Sequence, residues 1–286
     1  MMSMAVKLKT WLKAIRVVQW TKNGVVMLAW FFSVADASQR EIARGWESFL
    51  MAVAMAVSFS FISSSFYLLN DVSDYDADVL HPIKRLRPIA AGFLYPALVV
   101  MVLPSRTVAF GTVLAYTTMQ CLYTGYLKRV PYVDVVTLSA GFVLRAVAGA
   151  AIIAAYISPW LLICTFSLSL FLALCKRKNE LETARESRAV LKHYHPKILA
   201  SLIVVAGLAS FAEYLVYTIN SKMGERFSYL WLTSIFVFLG IVRYMVLAFG
   251  SGDVGRPEKV LLKDRMLWMV ITGYGICAVL TVLLGR

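Results

Sequence analysis

Residues 47–78 read ESFLMAVAMAVSFSFISSSFYLLNDVSDYDAD. The run 47–69 is apolar and long enough, at 1.5 Å per helical residue, to cross a hydrocarbon core of about 30 Å. It empties directly into Asn70, Asp71, Asp74, Asp76 and Asp78, and three strong bases follow, Lys84, Arg85 and Arg87. A greasy helix that ends in carboxylates backed by cations sets the question for the rest of the chain.

The same texture recurs on both sides of this stretch. The chain of 286 residues is 60% hydrophobic and only 16% charged, with a mean hydropathy of +0.72. Those values lie outside the range of an ordinary soluble domain. Apolar runs of roughly 20 residues alternate with short polar stretches, the pattern of an all-α, polytopic membrane protein. Alternating ten-residue strands, the mark of a transmembrane barrel, are lacking in the sequence. The expected spans are 23–35, 47–69, 93–104, 107–126, 134–155, 159–175, 198–219, 228–249 and 266–285, a bundle of about nine helices. Residues 93–104 are short for a crossing, since 12 residues reach only about 18 Å. They are read as the short arm of a hairpin. Residues 1–22 are basic and amphipathic without a cleavable signal, and are expected to form an interfacial helix before a single catalytic domain at 23–286.

Charge gives sidedness. With these spans, 21 of the 29 Lys and Arg residues fall on the side of the N-terminus and loops 70–92, 127–133, 176–197 and 250–265, against six on the other. The positive-inside rule puts the first side in the cytoplasm of a cell-membrane protein. Net charge is +13, but the bases gather at span ends. Topology and anionic substrates explain them better than nucleic acid does. The cysteines Cys121, Cys164, Cys175 and Cys277 have neither pairing nor metal spacing and read as small core residues. His193 and His195 lack a third ligand nearby for zinc. No glycine-rich nucleotide loop occurs.

Steps of three and four residues put Asp71, Asp74 and Asp78 on one helical face, where carboxylates repel unless something intervenes. The residues alone leave two readings: a solvated acidic loop paired with Lys84, Arg85 and Arg87, or a site for Mg²⁺. Oxygen-only ligands suit that ion, which keeps waters and bridges to phosphates. The helical spacing at a span end and the basic, proline-punctuated turn favour the metal and a diphosphate.

The motif N-D-x-x-D-x-x-x-D, followed by H-P-x-K-R-x-R-P-I-A-A-G, resembles the UbiA superfamily of intramembrane prenyltransferases. Within it, the likeness is to the branch of decaprenyl-phosphate phosphoribosyltransferases. Further matching stretches are R-x-x-Q-W-x-K-N at 16–23, Y-x-x-x-L-K-R at 123–129 and D-x-x-x-L-x-x-G-F-x-L-R at 134–145. K-R-x-x-E-L at 176–181 and R-P-E-x-x-L-x-K-D-R at 256–265 complete the set. The likeness covers about residues 14–286. The chain departs from it at the shortened segment 93–104. Aromatic-ring prenyltransferases of that superfamily carry a second aspartate-rich motif after the sixth span. Here that loop reads CKRKNELETARESR, basic and without aspartate.

What the resemblance implies is a helical bundle with a cytoplasm-facing central cavity. It also implies Mg²⁺-dependent transfer of phosphoribose from phosphoribosyl pyrophosphate to a polyprenyl phosphate lipid, for cell-envelope arabinose. Asn70, Asp71, Asp74 and Asp78 would hold the metal, with Lys84, Arg85 and Arg87 gripping phosphate. Arg145, about 16 Å along its span and three turns after Asp134, would bind donor phosphate, with Asp134 orienting it or the ribose hydroxyls. Tyr123 and Lys128 would reach the same cavity, and Gln19 and Lys22 the lipid phosphate. Lys176 and Arg177 would compensate further phosphate charge, with Glu180 orienting them or a sugar hydroxyl. Asp71, Asp74, Arg145 and Lys176 are the expected catalytic set. The runner-up readings are a ring-alkylating prenyltransferase and, from another class, a transporter. Against the transporter stand acids placed at the membrane surface and the lack of a visible inverted repeat. Glu213 and Arg243 lie in spans at depths that do not match, so each needs another partner.

Overall fold

The computed structural model describes residues 12, 15–36, 39–43, 45–73, 107–183, 189–250, 260 and 263–284. Segment 93–104, Asp74, Asp76, Asp78, Lys84, Arg85, Arg87 and the loop around Arg256 lie outside them. The same holds for most of the expected interfacial helix. Among the described residues every regular element is helical. The chain opens with a 3-10 helix, Val17–Met27, continued by α1 (Leu28–Ala35). There follow α2 (Arg40–Ala43), α3 (Trp46–Ser73), α4 (Thr107–Gly125), α5 (Val133–Ile152) and α6 (Pro159–Thr183). The series ends with α7 (Pro196–Asn220), α8 (Lys222–Arg226), α9 (Thr233–Phe249) and α10 (Arg265–Leu284). Five of the helices are long and apolar enough to cross a membrane. Large apolar side chains such as Trp46, Met269 and Leu283 lie on the outside, which suits a lipid surround. Cys121, expected in the core, is among the exposed residues, whereas Cys175 is buried.

Two compact units emerge. The first comprises Met1–Val34, Gln39–Lys128 and Leu144–Tyr156, the second Ala35–Ser38, Arg129–Val143 and Ile157–Arg286. Helix α5 contributes residues to each.

In the first unit residues 17–27 form one continuous 3-10 helix that runs across the expected boundary at residue 22. Its rise of about 2.0 Å per residue carries it about 22 Å, and α1 adds about 12 Å. Together they have the length of a span, which 23–35 alone, as an α-helix, would not. Three residues per turn stack Trp20, Asn23 and Val26 in one row. Asn23 and Val26 are buried, and Trp20 Nε1 donates to Ser64 Oγ at 3.0 Å. The opposing face of α3 presents Ser60 and Ser64, and Ser58 and Ser65 lie elsewhere round the same helix. Ser58, Ser60, Ser64 and Ser65 satisfy their own hydroxyls on carbonyls one turn back, so polar groups are buried without loose ends. Such small interfaces replace the hydrophobic driving force, which is weak between helices in lipid. On α5, Gly149 serves the same purpose. A Cβ there would sit 1.9 Å from the carbonyl oxygen of Val26.

The second unit packs α6, α7, α9 and α10 around Phe171, Leu174, Leu199, Ile203, Ile241 and Tyr244. Helix α6 runs to Thr183, eight residues past the expected end of its span. The K-R-x-x-E-L motif is therefore helical. Pro196 occupies the first turn of α7, where its missing N–H costs nothing.

Candidate functional site

In the first unit the polar side chains converge on Arg145, which is 6% exposed. Its Nε donates to Asn23 Oδ1 at 2.7 Å, and its Nη2 to Tyr116 Oη at 2.7 Å and Ser63 Oγ at 3.4 Å. The guanidinium also lies over the Tyr116 ring, 4.8 Å from its centre. Gln120 Nε2 donates to the same tyrosine oxygen at 2.8 Å. Four elements thus hold one cation: the 3-10 helix, α3, α4 and α5. A guanidinium fixed by so many bonds loses little further freedom when it meets an anion. At the far end of α3, Asn70 Oδ1 accepts from Lys128 Nζ at 3.3 Å. This joins two residues that were assigned from separate motifs. The α3 backbone carries Asn70 and Asp71 on its last turn, so the start of the acidic motif is helical. Lys22 Nζ meets Gln19 Oε1 at 3.4 Å, one 3-10 turn apart, and Tyr123 is buried on α4.

The second unit holds a different cluster. Asp134, at the start of α5, is fully buried, and Arg177 is 1% exposed. Arg177 Nε donates to Asp134 Oδ2 at 2.7 Å, and its Nη1 to Glu180. Lys176 Nζ stands 3.9 Å from the other Glu180 oxygen, with its side chain 31% exposed. Tyr194 Oη donates to Asp134 Oδ1 and accepts from the Tyr132 backbone N–H at 3.0 Å. Burial, together with the Asp134 hydrogen bond and charge, raises the Tyr194 hydroxyl well above the usual phenol range. Tyr132 has φ of 66°, a left-handed conformation that costs a non-glycine residue of order 1 kcal/mol and persists only when its surroundings impose it. The Tyr194 hydrogen bond and ring, whose centre is 4.6 Å from that of Tyr132, impose it here.

The structure gives two of the expected site residues partners that the sequence did not name. Asp134, expected to orient Arg145 or the ribose hydroxyls, accepts from Arg177 on one oxygen and from Tyr194 on the other. Arg177, expected to compensate phosphate charge, is buried and donates to Asp134 and Glu180. The reason is desolvation: a buried charge is stable only when paired, so each of these groups satisfies the other. Lys176 and Glu180 remain the partly exposed end of the chain of contacts. Arg243, whose partner the sequence left unnamed, reaches Asp264 Oδ2 at 2.7 Å, a residue in the 256–265 motif. Glu213 Oε2 is buried and has no hydrogen-bond partner among the described residues. Asn23, Ser63, Tyr116 and Tyr194 were missed. Asn23 closes the motif at 16–23, but nothing local distinguishes the others from core residues.

Residues 25–271 match the family model described as the UbiA prenyltransferase family. The chain belongs to that family. Among curated proteins, the UbiA member is 32% identical over 95% of its length to a decaprenyl-phosphate phosphoribosyltransferase of Corynebacterium glutamicum, covering 86% of it. It is 33% identical over 90% of its length to the Mycobacterium tuberculosis enzyme of that name, covering 89%. Its fold is similar to a UbiA homolog from Archaeoglobus fulgidus bound to GPP and Mg²⁺, with a TM-score of 0.68, 16% identity and coverage of 96% and 98%. A UbiA homolog of that organism bound to DMAPP and Mg²⁺ gives 0.67 at 15% identity, with coverage of 96% and 97%. This is a multi-pass membrane protein of the UbiA fold.

Proposed function

We propose that the chain transfers a 5-phosphoribosyl group from phosphoribosyl pyrophosphate to a polyprenyl phosphate at the cytoplasmic membrane face. An anionic oxygen of the lipid phosphate attacks the anomeric carbon of the ribose. The bond from that carbon to the diphosphate oxygen breaks, and pyrophosphate leaves with the electron pair. The nucleophile is already ionised near neutral pH, so the main demand is stabilisation of charge on the leaving group. The residues on and after the last turn of α3, an amide and carboxylates, fit Mg²⁺, since each offers an oxygen as its donor atom. Asn70, Asp71, Asp74 and Asp78 would hold that ion, which supplies charge neutralisation for a diphosphate. Lys84, Arg85, Arg87 and Lys128 would assist it. Arg145, aimed by Asn23, Ser63 and Tyr116 from three other elements, binds donor phosphate beside Tyr123. Gln19 and Lys22 meet the lipid phosphate, whose tail lies along apolar helix faces.

The observation that carries this reading is the helical end of α6. Where a ring-alkylating relative would place a second carboxylate motif, this chain has Lys176 and Glu180 mounted on a buried Arg177–Asp134 pair. A fixed cation there suits a substrate rich in phosphate. Named relatives point the same way.

The test is a transfer assay. Membranes holding the protein, labelled phosphoribosyl pyrophosphate, polyprenyl phosphate and Mg²⁺ should yield lipid-extractable label. EDTA or Asp74→Ala should abolish it. No transfer, with prenylation of 4-hydroxybenzoate instead, overturns the assignment.

A further inference from the structure

The row of the 3-10 helix that faces α3 carries an amide at a position where a carboxylate would grip arginine more tightly. Asn23 is 2% exposed. An arginine only donates, so the amide oxygen must face it and the amide nitrogen must face away. That nitrogen finds Ser60 Oγ at 3.0 Å, while the Ser60 hydroxyl is already spent on the Ala56 carbonyl. The orientation of the amide is therefore determined at both ends. The 3-10 geometry is what brings it there. Trp20 and Val26, one turn to either side, are anchored by Ser64 and by the close approach to Gly149.

We propose that Asn23 is a positioning residue for anion binding: it aims the Arg145 guanidinium without adding negative charge beside it. Whatever other groups meet Arg145, a carboxylate at position 23 would set a formal charge about one hydrogen bond from Nε. The field would then be directed inward rather than at a phosphorylated ligand. In a low-dielectric interior that redirection is strong. A purely structural asparagine would tolerate aspartate, because the 2.7 Å bond to Nε would survive with charge assistance and the Ser60 hydroxyl would turn from the Ala56 carbonyl to donate to the second oxygen. The proposal deepens the function above and rests on its assignment of Arg145 to donor phosphate.

Full-length wild type, Asn23→Asp and Ser60→Ala in lipid nanodiscs separate the two cases. Thermal unfolding is followed with and without Mg²⁺ pyrophosphate, beside steady-state transfer kinetics. N23D is expected to melt at or above the wild-type temperature. It should nonetheless bind pyrophosphate about tenfold more weakly and raise KM for phosphoribosyl pyrophosphate to match, with KM for the lipid phosphate unchanged. Wild-type affinity in N23D overturns the proposal, and so does a wild-type protein that fails to bind pyrophosphate. Should N23D not fold, S60A loosens the amide without touching Arg145. A several-fold loss of affinity supports the idea and an unchanged affinity sinks it. A wild type that binds pyrophosphate, loses it through N23D and yet transfers no label supports the anion role while overturning the reaction.

Discussion

Arg177 and Asp134 are 43 residues apart in the chain and meet at 2.7 Å with both side chains sealed from solvent. Tyr194 closes the other side of the carboxylate. Removing one member of a buried pair strands a charge, which costs about 3–5 kcal/mol, whereas replacing both by apolar groups costs far less. Arg177→Met alone should therefore lower the thermal midpoint in detergent by several degrees. The double variant Arg177→Met with Asp134→Leu should recover most of that loss. A single variant as stable as wild type contradicts the pairing.

The Arg243 guanidinium beside Asp264 holds that carboxyl below the usual range. A depressed carboxylate pKa contributes stability that is present above the unfolded value, about 3.9, and is lost as pH falls through the folded one. Asp264 also caps α10 by accepting from the Leu267 N–H at 2.9 Å. Asparagine caps as well as aspartate, so Asp264→Asn isolates the ion pair. The variant should be less stable than wild type at pH 7, with the gap closing below about pH 4. Thermal midpoints measured across pH would show it. A gap constant down to pH 3 speaks against a charge origin.

Gly149 is required by the approach of the Val26 backbone, since a methyl there would lie 1.9 Å from a carbonyl oxygen. Backbone cannot rotate aside as a long side chain can, so overpacking costs about 1–3 kcal/mol or more. Gly149→Ala is expected to lower the melting temperature. The Asn23–Arg145 alignment depends on the same 3-10 segment, so transfer activity should fall with it. Gly24, whose Cβ would meet nothing within 4 Å, gives the control: Gly24→Ala should leave the melting temperature near wild type.

Much of this was legible in sequence because hydrophobic periodicity and length are local properties. The spans at 107–126, 134–155 and 198–219 lie within three residues of the observed helices at each end. The first span did not, because a 3-10 helix has its own rise and a period of three, and nothing in VVQWTKNGVVM announces either. The polar stretch CKRKNELET reads as loop by charge, yet it continues α6. Its buried arginine faces a partner that only packing supplies.

The order of residues alone determined that this chain lives in a membrane and where its apolar stretches begin and end. Periodicity, composition and motif spacing are written along the backbone. Tertiary packing alone decided which group answers each charge: Asn23 for Arg145, Arg177 for Asp134, Asp264 for Arg243. In a medium without water each buried charge must find a partner, and the partner is whichever group the packed helices bring within reach.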